Sequence, residues 1–336
     1  MMLDPSGRSM DYLRLSITDR CNLRCVYCMP EGGVEWKPHS SFLRLEETLR
    51  LCSLLCELGV RRVKLTGGEP LLQKNLEWFL RALHRIPSLE QVTLTTNGLL
   101  LADFLGRLGD GAPSLLAGIN ISLNTNDPAI FAKMARRSEL LAVLDGLGRA
   151  KSMGIPVKIN CVPVRHHNES TLVDLAGLAA NEVLAVRFIE LMPMGVATGL
   201  EGIPTDEIMA LIESRFGRLS PDDAKIGNGP AVYYSLPNFK GKIGFISAMS
   251  HGFCSSCTRL RLGSDGFLKP CLASDTGLDL KPLVRSGASD DEIKEAMGRL
   301  AASKPTGHLF AGSAKPGPND EDRTYKGPVG MYGIGG

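Results

Sequence analysis

The feature that most constrains the fold is a strand-then-helix alternation that recurs along the first half of the 336-residue chain. Short apolar runs predict six strands, at Leu13–Ile17, Arg62–Thr66, Gln91–Thr96, Gly118–Leu123, Pro156–Val162 and Val183–Ile189. Helical spacing of apolar residues predicts helices between them, at Leu45–Leu58, Leu71–Arg85, Leu100–Leu108, Glu139–Met153 and Thr171–Asn181. Repetition of this unit indicates an α/β fold with a parallel sheet and right-handed crossovers.

The predicted strands have an unusual polarity. Parallel strands covered by helices on both faces read as continuous apolar runs, whereas five of these six alternate polar and apolar residues. A packed barrel interior would be Val, Ile and Leu. We therefore expect a curved sheet whose concave face lines a wet, ligand-filled cavity. The polar residues assigned to that face are Arg14, Ser16, Thr18, Lys64, Thr66, Thr93, Thr95, Asn97, Asn120, Ser122, Asn124, Lys158 and Asn160.

Composition narrows the classes of protein that fit this fold. The net charge of +2 argues against bulk binding to nucleic acid or to an acidic membrane surface. No apolar run reaches transmembrane length, and residues 1–10 lack the apolar centre of a secretory leader. We therefore expect a cytoplasmic protein, in which the nine cysteines serve as metal ligands or buried thiols. Cys52 and Cys56 on an apolar helix face, and Cys161 on an apolar strand face, are expected in the core.

Three cysteines with the spacing Cys21-x3-Cys25-x2-Cys28 directly follow the first predicted strand. Ligands of α/β folds bind at the carboxyl ends of strands. A [4Fe–4S] cluster is normally held by four thiolates, so three thiolates leave one iron open, as a catalytic zinc site keeps an open position. The spacing predicts a reactive cluster at this loop. A structural zinc site without its fourth ligand, or three buried thiols, is the alternative.

A second group of cysteines, Cys254-x2-Cys257-x13-Cys271, lies in the last third of the chain. Again three thiols are present, and His251 is a candidate fourth ligand. Taken alone, the spacing is equally typical of a zinc knuckle or of a fragment of a zinc ribbon.

Two arginines follow the second group. On an extended strand, Arg259 and Arg261 share one face, opposite Leu260 and Leu262. Guanidinium groups bind phosphates through bidentate, charge-assisted hydrogen bonds. The pattern therefore predicts a polyphosphate ligand beside a second metal centre, and a solvated strand face is the alternative.

A glycine-rich turn, Gly67-Gly68-Glu69-Pro70, follows the second predicted strand at the same end as the first cysteine group. Glycines permit close backbone approach, and the Glu69 carboxylate is a candidate acceptor for an ammonium group. A plain βα turn uses the same residues, so this motif gains meaning only beside the cysteines. After Glu190 the sequence predicts helices at Pro204–Phe216 and Ser289–Ala301 and a hairpin-like stretch at Lys242–Ile246.

Together these motifs resemble the radical S-adenosylmethionine (SAM) enzymes and, within them, the GTP 3′,8-cyclase family of molybdenum cofactor biosynthesis. The resemblance covers nearly the whole chain, and the two cysteine groups with the double-glycine end are its specific parts. The matching segments are residues 13–16, 18–22, 25–30, 66–70, 94–98, 187–190, 254–262, 264–266 and 271–272, with Gly335-Gly336.

The resemblance implies an incomplete (β/α)6 TIM-like barrel of the radical SAM type, with a C-terminal domain that closes the barrel mouth. We expect residues 1–240 to form the barrel with the first [4Fe–4S] cluster. Residues 241–336 would form the C-terminal domain with the second cluster. The tail, Gly335 and Gly336, would enter the active site.

The resemblance also implies a lyase reaction. A cluster on Cys21, Cys25 and Cys28, reduced by an external one-electron donor, would cleave SAM to methionine and a 5′-deoxyadenosyl radical. That radical would take the 3′ hydrogen of GTP, and C3′ would then bond to C8, giving 3′,8-cyclo-7,8-dihydro-GTP. A cyclic pyranopterin monophosphate synthase would consume this product. No nucleic-acid or membrane partner is expected, and a homodimer is left open.

Individual roles are implied by matching motifs. The cluster cysteines and Arg14 would be catalytic, and the second cluster, on Cys254, Cys257 and Cys271, would present its open iron to the guanine of GTP. SAM contacts would come from Tyr27, Gly68, Ser122 and Met192. GTP contacts would come from Arg14, Lys64, Thr95, Lys158, Arg259, Leu260 and Arg261. Two positions depart mildly from the family pattern: Asn124 where Asp is usual, and Lys64 where Arg is also common.

Two other classes of protein remain alternatives. One is another radical SAM enzyme with an auxiliary cluster, such as a peptide-modifying maturase. Those enzymes usually carry more C-terminal cysteines, and the three here lie beside Arg-x-Arg, which favours a nucleotide. The other is a binding module stabilised by zinc or by an iron–sulfur cluster.

Overall fold

The computed structural model describes residues 2–35, 37–223, 226–308 and 310. Its centre is one twelve-stranded sheet with the strand order β12-β11-β10-β1-β2-β3-β4-β5-β6-β9-β8-β7. The first six strands are neighbours in chain order and pair in parallel. They are β1 Tyr12–Ser16, β2 Arg62–Thr66, β3 Gln91–Thr96, β4 Gly118–Ser122, β5 Val157–Cys161 and β6 Ala185–Ile189.

The remaining strands extend this sheet at both edges. At one edge β9 pairs in parallel with β6 and carries the antiparallel strands β8 and β7. At the other edge β10 pairs in parallel with β1 and carries the antiparallel strands β11 and β12. Their bounds are β7 Ser220–Asp222, β8 Val232–Ser235, β9 Lys242–Ile246, β10 Arg259–Leu262, β11 Phe267–Lys269 and β12 Leu278–Asp279.

Ten α-helices are present in the described part of the chain. They are α1 Leu45–Glu57, α2 Leu76–Leu83, α3 Leu101–Leu108, α4 Ala112–Leu115, α5 Pro128–Ala135, α6 Leu140–Ser152, α7 Leu172–Gly177, α8 Thr205–Phe216, α9 Lys281–Arg285 and α10 Asp290–Ala301. None of them is both long enough and apolar enough to span a lipid bilayer.

The six strands and the helices predicted for the βα repeat are present in the structure, and two differences in the helices are instructive. The helix expected over Leu71–Arg85 is a 3-10 turn, Pro70–Leu72, followed by α2, because Asn75 adopts a left-handed conformation with φ 60°. The sequence analysis missed α5, which begins at an Asp-Pro pair. The Asp127 side chain accepts a hydrogen bond from the Ile130 N–H, which caps this helix.

The two faces of the parallel sheet differ as the alternation predicted. Leu13, Leu15 and Leu65 are completely buried in the hydrophobic core on the helix-covered side. Cys52, Cys56 and Cys161 are free thiols in the same core, which confirms the expectation for these three cysteines. The opposite face of the sheet carries the polar residues and borders a cavity.

The C-terminal region extends the sheet at both edges of its parallel portion. The segment 247–258 leaves the carboxyl end of β9 and enters the amino end of β10, and these are the two outer strands of the parallel portion. It therefore crosses from one edge of the incomplete barrel to the other. The stretch expected as a short hairpin, Lys242–Ile246, is the parallel strand β9, paired along its whole length with β6.

Candidate active site

One cavity of about 260 Å³ occupies the polar side of the sheet. All six cysteines of the two triplets line it: Cys21, Cys25, Cys28, Cys254, Cys257 and Cys271. Most of the predicted ligand contacts line it as well: Arg14, Tyr27, Lys64, Gly68, Thr95, Ser122, Met192, Arg259 and Arg261. The structure therefore brings together two groups of cysteines that are more than 220 residues apart in sequence.

The first cysteine loop is held by the glycine-rich turn after β2. The N–H of Gly68 donates to the Thr18 carbonyl at 2.7 Å, and the N–H of Glu69 donates to the Arg20 carbonyl at 2.7 Å. A Cβ atom at Gly68 would lie 2.4 Å from the Arg20 carbonyl oxygen, a distance that Cβ atoms do not adopt. The turn and the cysteine loop can make this contact only because residue 68 is glycine.

Glu69 has a role inside the protein. Its carboxylate is fully buried and accepts hydrogen bonds from Leu71 N at 3.0 Å, Thr96 Oγ1 at 2.7 Å and Asn97 N at 2.7 Å. Burial raises its pKa to about 7, against these three donors. The carboxylate ties the turn after β2 to the end of β3, whereas the sequence analysis had considered it as an acceptor for a ligand ammonium group.

The cysteines have the arrangement that a cluster with one open iron needs. Burial raises the pKa of the Cys25 thiol, and the neighbouring Cys28 and Cys21 raise it further. Burial also raises the pKa of Cys254, with Cys271 and Cys257 adding to the effect. The three thiols of each triplet are thus close enough to interact. None of these six cysteines is in a disulfide bond, and each is partly exposed and lines the cavity. The residues present therefore fit a [4Fe–4S] cluster at each triplet.

The arrangement of the described side chains does not support a site for a single metal ion such as zinc. Among the described residues, no three His, Cys, Asp or Glu side chains form a group that could hold a single metal ion. In a cubane cluster each thiolate binds a different iron, so the thiols of a triplet lie farther apart than the ligands of one zinc ion.

The two triplets lie at opposite ends of the parallel strands. Cys21 follows the carboxyl end of β1, whereas Cys257 precedes β10, whose Arg259 pairs with Tyr12 at the amino end of β1. Cys257 lies two residues before Arg259 and is therefore level with Met10, six residues before the end of β1 at Ser16. At a rise of about 3.3 Å per residue, these six residues span about 20 Å. A ligand between the two clusters would therefore extend along the polar face of the sheet.

The second triplet is fixed by residues from distant parts of the chain. Arg8 donates to the Cys254 carbonyl at 2.5 Å and to the Pro305 carbonyl at 2.8 Å. The carboxylate of Glu190, at the end of β6, accepts from the backbone N–H groups of Met249 and Ser250 at 2.8 and 2.9 Å. These contacts fix both Cys254 and the chain segment, Met249 and Ser250, that leads to it.

A row of positive side chains crosses the middle of the cavity. The register of β10, β1 and β2 places Arg261 beside Arg14 and Arg14 beside Lys64, on neighbouring strands about 4.8 Å apart. Burial, together with Arg259 and Arg187, lowers the pKa of Arg14 to about 10, and burial with nearby cations also lowers the pKa values of Lys64 and Arg261. Among the described residues on the cavity wall, Glu190 is the only carboxylate. The wall is thus built for a ligand with several negative charges.

Arg187 is a cavity residue that the sequence analysis did not select. It lies on β6, is 5% exposed, and donates to Asn160 Oδ1 and Asn120 Oδ1 at 2.9 and 2.6 Å. Burial lowers the pKa of Lys158 to about 8, and the positive charge of Arg187 adds to this effect. The sequence does contain one sign of this role: Arg187 lies inside the apolar run Ala-Val-Arg-Phe-Ile. An isolated arginine in a buried strand needs polar partners.

Two predicted GTP residues are placed differently from the others. Lys158 does not border the main cavity, and its Nζ lies against Gly227, where an added Cβ would approach it to 2.5 Å. The side chain of Leu260 is fully buried in the core, so only its backbone is available to a ligand. Their proposed contacts with GTP therefore remain predictions. Gly335 and Gly336 lie outside the described residues.

The unusual Asn124 has well-defined partners. Its Nδ2 donates to the Tyr27 hydroxyl at 3.1 Å, and its Oδ1 accepts from the Val162 N–H at 2.9 Å. Asn124 thereby links the cysteine loop to the end of β5. An aspartate could accept both contacts only if Tyr27 became the donor, so the departure changes the direction of one hydrogen bond.

The fold and this doubly cysteine-lined cavity define a radical SAM protein. The radical SAM superfamily model matches residues 15–179, and the model described as Molybdenum Cofactor Synthesis C matches residues 184–310. The structure of Streptococcus suis SuiB bound to S-adenosylmethionine aligns with a TM-score of 0.56 at 15% identity, over 84% of this chain and 66% of that one. This likeness supports the fold alone, and it confirms the expected partial barrel with a C-terminal region.

Curated relatives narrow the class to one family. The chain is 41% identical to the GTP 3′,8-cyclase of Petrotoga mobilis, over 92% of this chain and 95% of that protein. It is 38% identical to the GTP 3′,8-cyclase of Clostridium perfringens over the full length of both. The enzyme of that name from Moorella thermoacetica is 43% identical over 91% and 95% of the two chains. The chain belongs to the GTP 3′,8-cyclase family of radical SAM enzymes.

Proposed function

We propose that this protein is a GTP 3′,8-cyclase that carries out the first step of molybdenum cofactor biosynthesis. The observation that carries the proposal is the single cavity with a cysteine triplet at each end and a row of cations between them. One triplet serves the radical-forming cofactor, the other the substrate base, and the cations serve the triphosphate. The family membership supports the same reaction.

At the first end, Cys21, Cys25 and Cys28 would hold a [4Fe–4S] cluster. When bound and reduced, this cluster and SAM supply a 5′-deoxyadenosyl radical that can remove a hydrogen atom from carbon. We assign the orientation of SAM to Tyr27, Gly68, Ser122 and Met192, which all border the cavity. The Gly68 contact with the Arg20 carbonyl fixes the cysteine loop against the sheet.

At the second end, Cys254, Cys257 and Cys271 would hold the other cluster, and the guanine of GTP would bind beside it. Arg14, Lys64 and Arg261 form the central row, with Arg259 and Thr95 on the same wall. We assign Lys158 and the Leu260 backbone as further GTP contacts. These contacts would hold the nucleotide in one conformation, with C3′ about 3–3.5 Å from the atom that takes its hydrogen, and a fixed position of C8 near C3′ favours the cyclisation.

The protein must also exclude water around a reactive carbon radical. The segment 247–258, which connects β9 to β10, contributes Ala248 and Phe253 to the cavity wall, and the 226–230 segment contributes Gly229 and Pro230. The product, 3′,8-cyclo-7,8-dihydro-GTP, would then pass to a cyclic pyranopterin monophosphate synthase.

The finer features belong to the same proposal. We propose a cytoplasmic enzyme that receives its electrons from an external one-electron donor and uses neither nucleic acid nor membrane as a partner. A homodimer is compatible with it. We propose a division into residues 1–240 and 241–336. The two family models meet near residue 180, and the sheet is continuous across both boundaries.

The test is anaerobic reconstitution with iron and sulfide, followed by incubation with SAM, a reductant, and either GTP or a peptide substrate of a radical SAM maturase. We expect 5′-deoxyadenosine together with cyclised nucleotide in the GTP reaction only. Peptide modification without nucleotide product would favour the maturase alternative. Zinc in place of iron, with no cleavage of SAM, would favour a binding module.

A further inference from the structure

We infer that Lys304 is a positioning residue that joins the two strands carrying the second cysteine triplet and holds a positive charge against the cluster bound there. This inference rests on the proposed function for the identity of the bound group. Lys304 follows α10, is 5% exposed, and borders the cavity, although it lies 33 residues beyond Cys271 in sequence.

The contacts of Lys304 are specific. Its Nζ donates to the Arg259 carbonyl at 2.6 Å and to the Pro270 carbonyl at 2.6 Å. Arg259 is two residues beyond Cys257, and Pro270 immediately precedes Cys271. The ammonium group therefore bridges the two chain segments from which these cysteine ligands emerge.

The sheet needs such a bridge at this point. The β10–β11 register ends with Arg261 opposite Lys269, so no ladder pair joins the segments closer to the cysteines. Pro270 lacks an N–H and cannot continue the ladder. Hydrogen bonds from a charged donor are stronger than neutral ones, and Lys304 supplies one to each segment. The spacing of Cys257 and Cys271 thus depends on a side chain that is not a ligand.

The ammonium group also has a third donor. An ammonium group carries three N–H bonds, and the two carbonyls use two of them. In the described structure the remaining one has no protein partner, and Lys304 lies on the wall that Cys257 and Cys271 share. A cluster held by three thiolates has a net negative charge, so a buried cation beside it favours the reduced state. Lys304 therefore both spaces the ligands and raises the reduction potential of the second cluster.

The experiment compares Lys304→Met, Lys304→Gln and Lys304→Arg in the full chain, with Lys294→Met as a matched control. Lys294 lies on α10, the helix that precedes Lys304, and forms ion pairs with Glu57 and Asp291, so its variant removes a nearby lysine that does not line the cavity. The measurements are iron and sulfide content, the electron paramagnetic resonance (EPR) spectrum with and without GTP, and the reduction potential of each cluster.

We expect about eight irons per chain in the parent and in Lys294→Met, and about four in Lys304→Met, with the first cluster retained. Lys304→Arg should restore most of the second cluster because it keeps charge and donors. Lys304→Gln, which keeps donors without the charge, should lower the potential of whatever second cluster forms.

The inference is overturned if Lys304→Met keeps about eight irons with an unchanged EPR spectrum and potential. It is equally overturned if Lys304→Met loses both clusters together or fails to fold while Lys304→Arg behaves the same way, since that result indicates a general structural role. Failure of the parent protein to cyclise GTP would sink the proposed function but would leave this comparison of iron content interpretable.

Discussion

The contact between Gly68 and the first cysteine loop offers the sharpest structural prediction. In Gly68→Ala, the new Cβ would lie 2.4 Å from the Arg20 carbonyl oxygen, 2.6 Å from the Arg20 carbonyl carbon and 2.7 Å from the Asp19 oxygen. An ordinary contact begins near 3.4 Å, so the two backbones must separate by about 1 Å. Flexible side chains cannot absorb this shift because all three atoms belong to the backbone.

The displaced residue, Arg20, directly precedes Cys21, so the shift is transmitted to a cluster ligand. A misplacement of about 1 Å in a reacting geometry can cost about 100-fold in rate, and overpacking costs about 1–3 kcal/mol in the free energy of unfolding. We therefore expect Gly68→Ala to lower the rate of 5′-deoxyadenosine formation about 100-fold while the protein stays folded.

The control for this variant is Gly32→Ala, near the same loop, where a Cβ would meet nothing within 4 Å. It should keep the parent rate. Gly67→Ala, whose Cβ would approach the Thr18 oxygen to 2.6 Å, should be impaired to a lesser degree. The rates are measured by chromatography of 5′-deoxyadenosine, with thermal unfolding as the check on stability. A parent-like rate in folded Gly68→Ala would refute the argument from close approach.

Three further predictions concern the ligands. Arg259→Ala and Arg261→Ala should keep both clusters but weaken GTP binding about 10- to 100-fold, as expected for a lost hydrogen bond to a charged group; unchanged affinity by calorimetry in both variants would remove the phosphate assignment. Cys25→Ser should abolish 5′-deoxyadenosine formation, whereas Cys257→Ser should lose cyclised product more than it loses SAM cleavage; equal losses of both activities in the two folded variants would contradict separate roles for the triplets. Burial and Arg187 lower the pKa of Lys158 to about 8, and a bound triphosphate should raise it, so GTP binding takes up a proton above pH 8 and affinity should fall as the pH rises from 8 to 10. Lys158→Arg should flatten that decline in a pH series of GTP titrations, and an identical decline in the variant would exclude Lys158 as the source.

The part of the fold that could be predicted is the part governed by local environment. Leu13 and Arg14 illustrate the reason: one faces helices and the other faces the cavity, so the period-two alternation is written directly into the strand. The same pattern identified Lys64, Thr95 and Ser122 as cavity residues. However, the alternation of residues predicts only the face of the sheet on which a side chain lies. It does not predict which other segment of the chain packs against that side chain. Lys158 is on the predicted face, yet it lies against Gly227 and does not line the main cavity.

The features that could not be predicted depend on contacts between distant segments. Short strands such as β11 and β12 gain their stability from pairing at the sheet edge, and their sequences carry little local pattern. Lys304 reads as an ordinary lysine after a helix, and only the folded chain places it between the Arg259 and Pro270 carbonyls. Arg187 was hidden for a different reason, because a single arginine within an apolar run does not produce an alternation.

The central claim is that the two cysteine-lined ends of one cavity act on the same bound nucleotide. The most direct measurement uses anaerobically reconstituted protein with SAM, a reductant and GTP that carries deuterium at C3′, followed by mass spectrometry of both products. The account predicts one deuterium in 5′-deoxyadenosine, formed together with cyclised nucleotide that has lost it. Unlabelled 5′-deoxyadenosine, or cyclised nucleotide that retains the label, would contradict it.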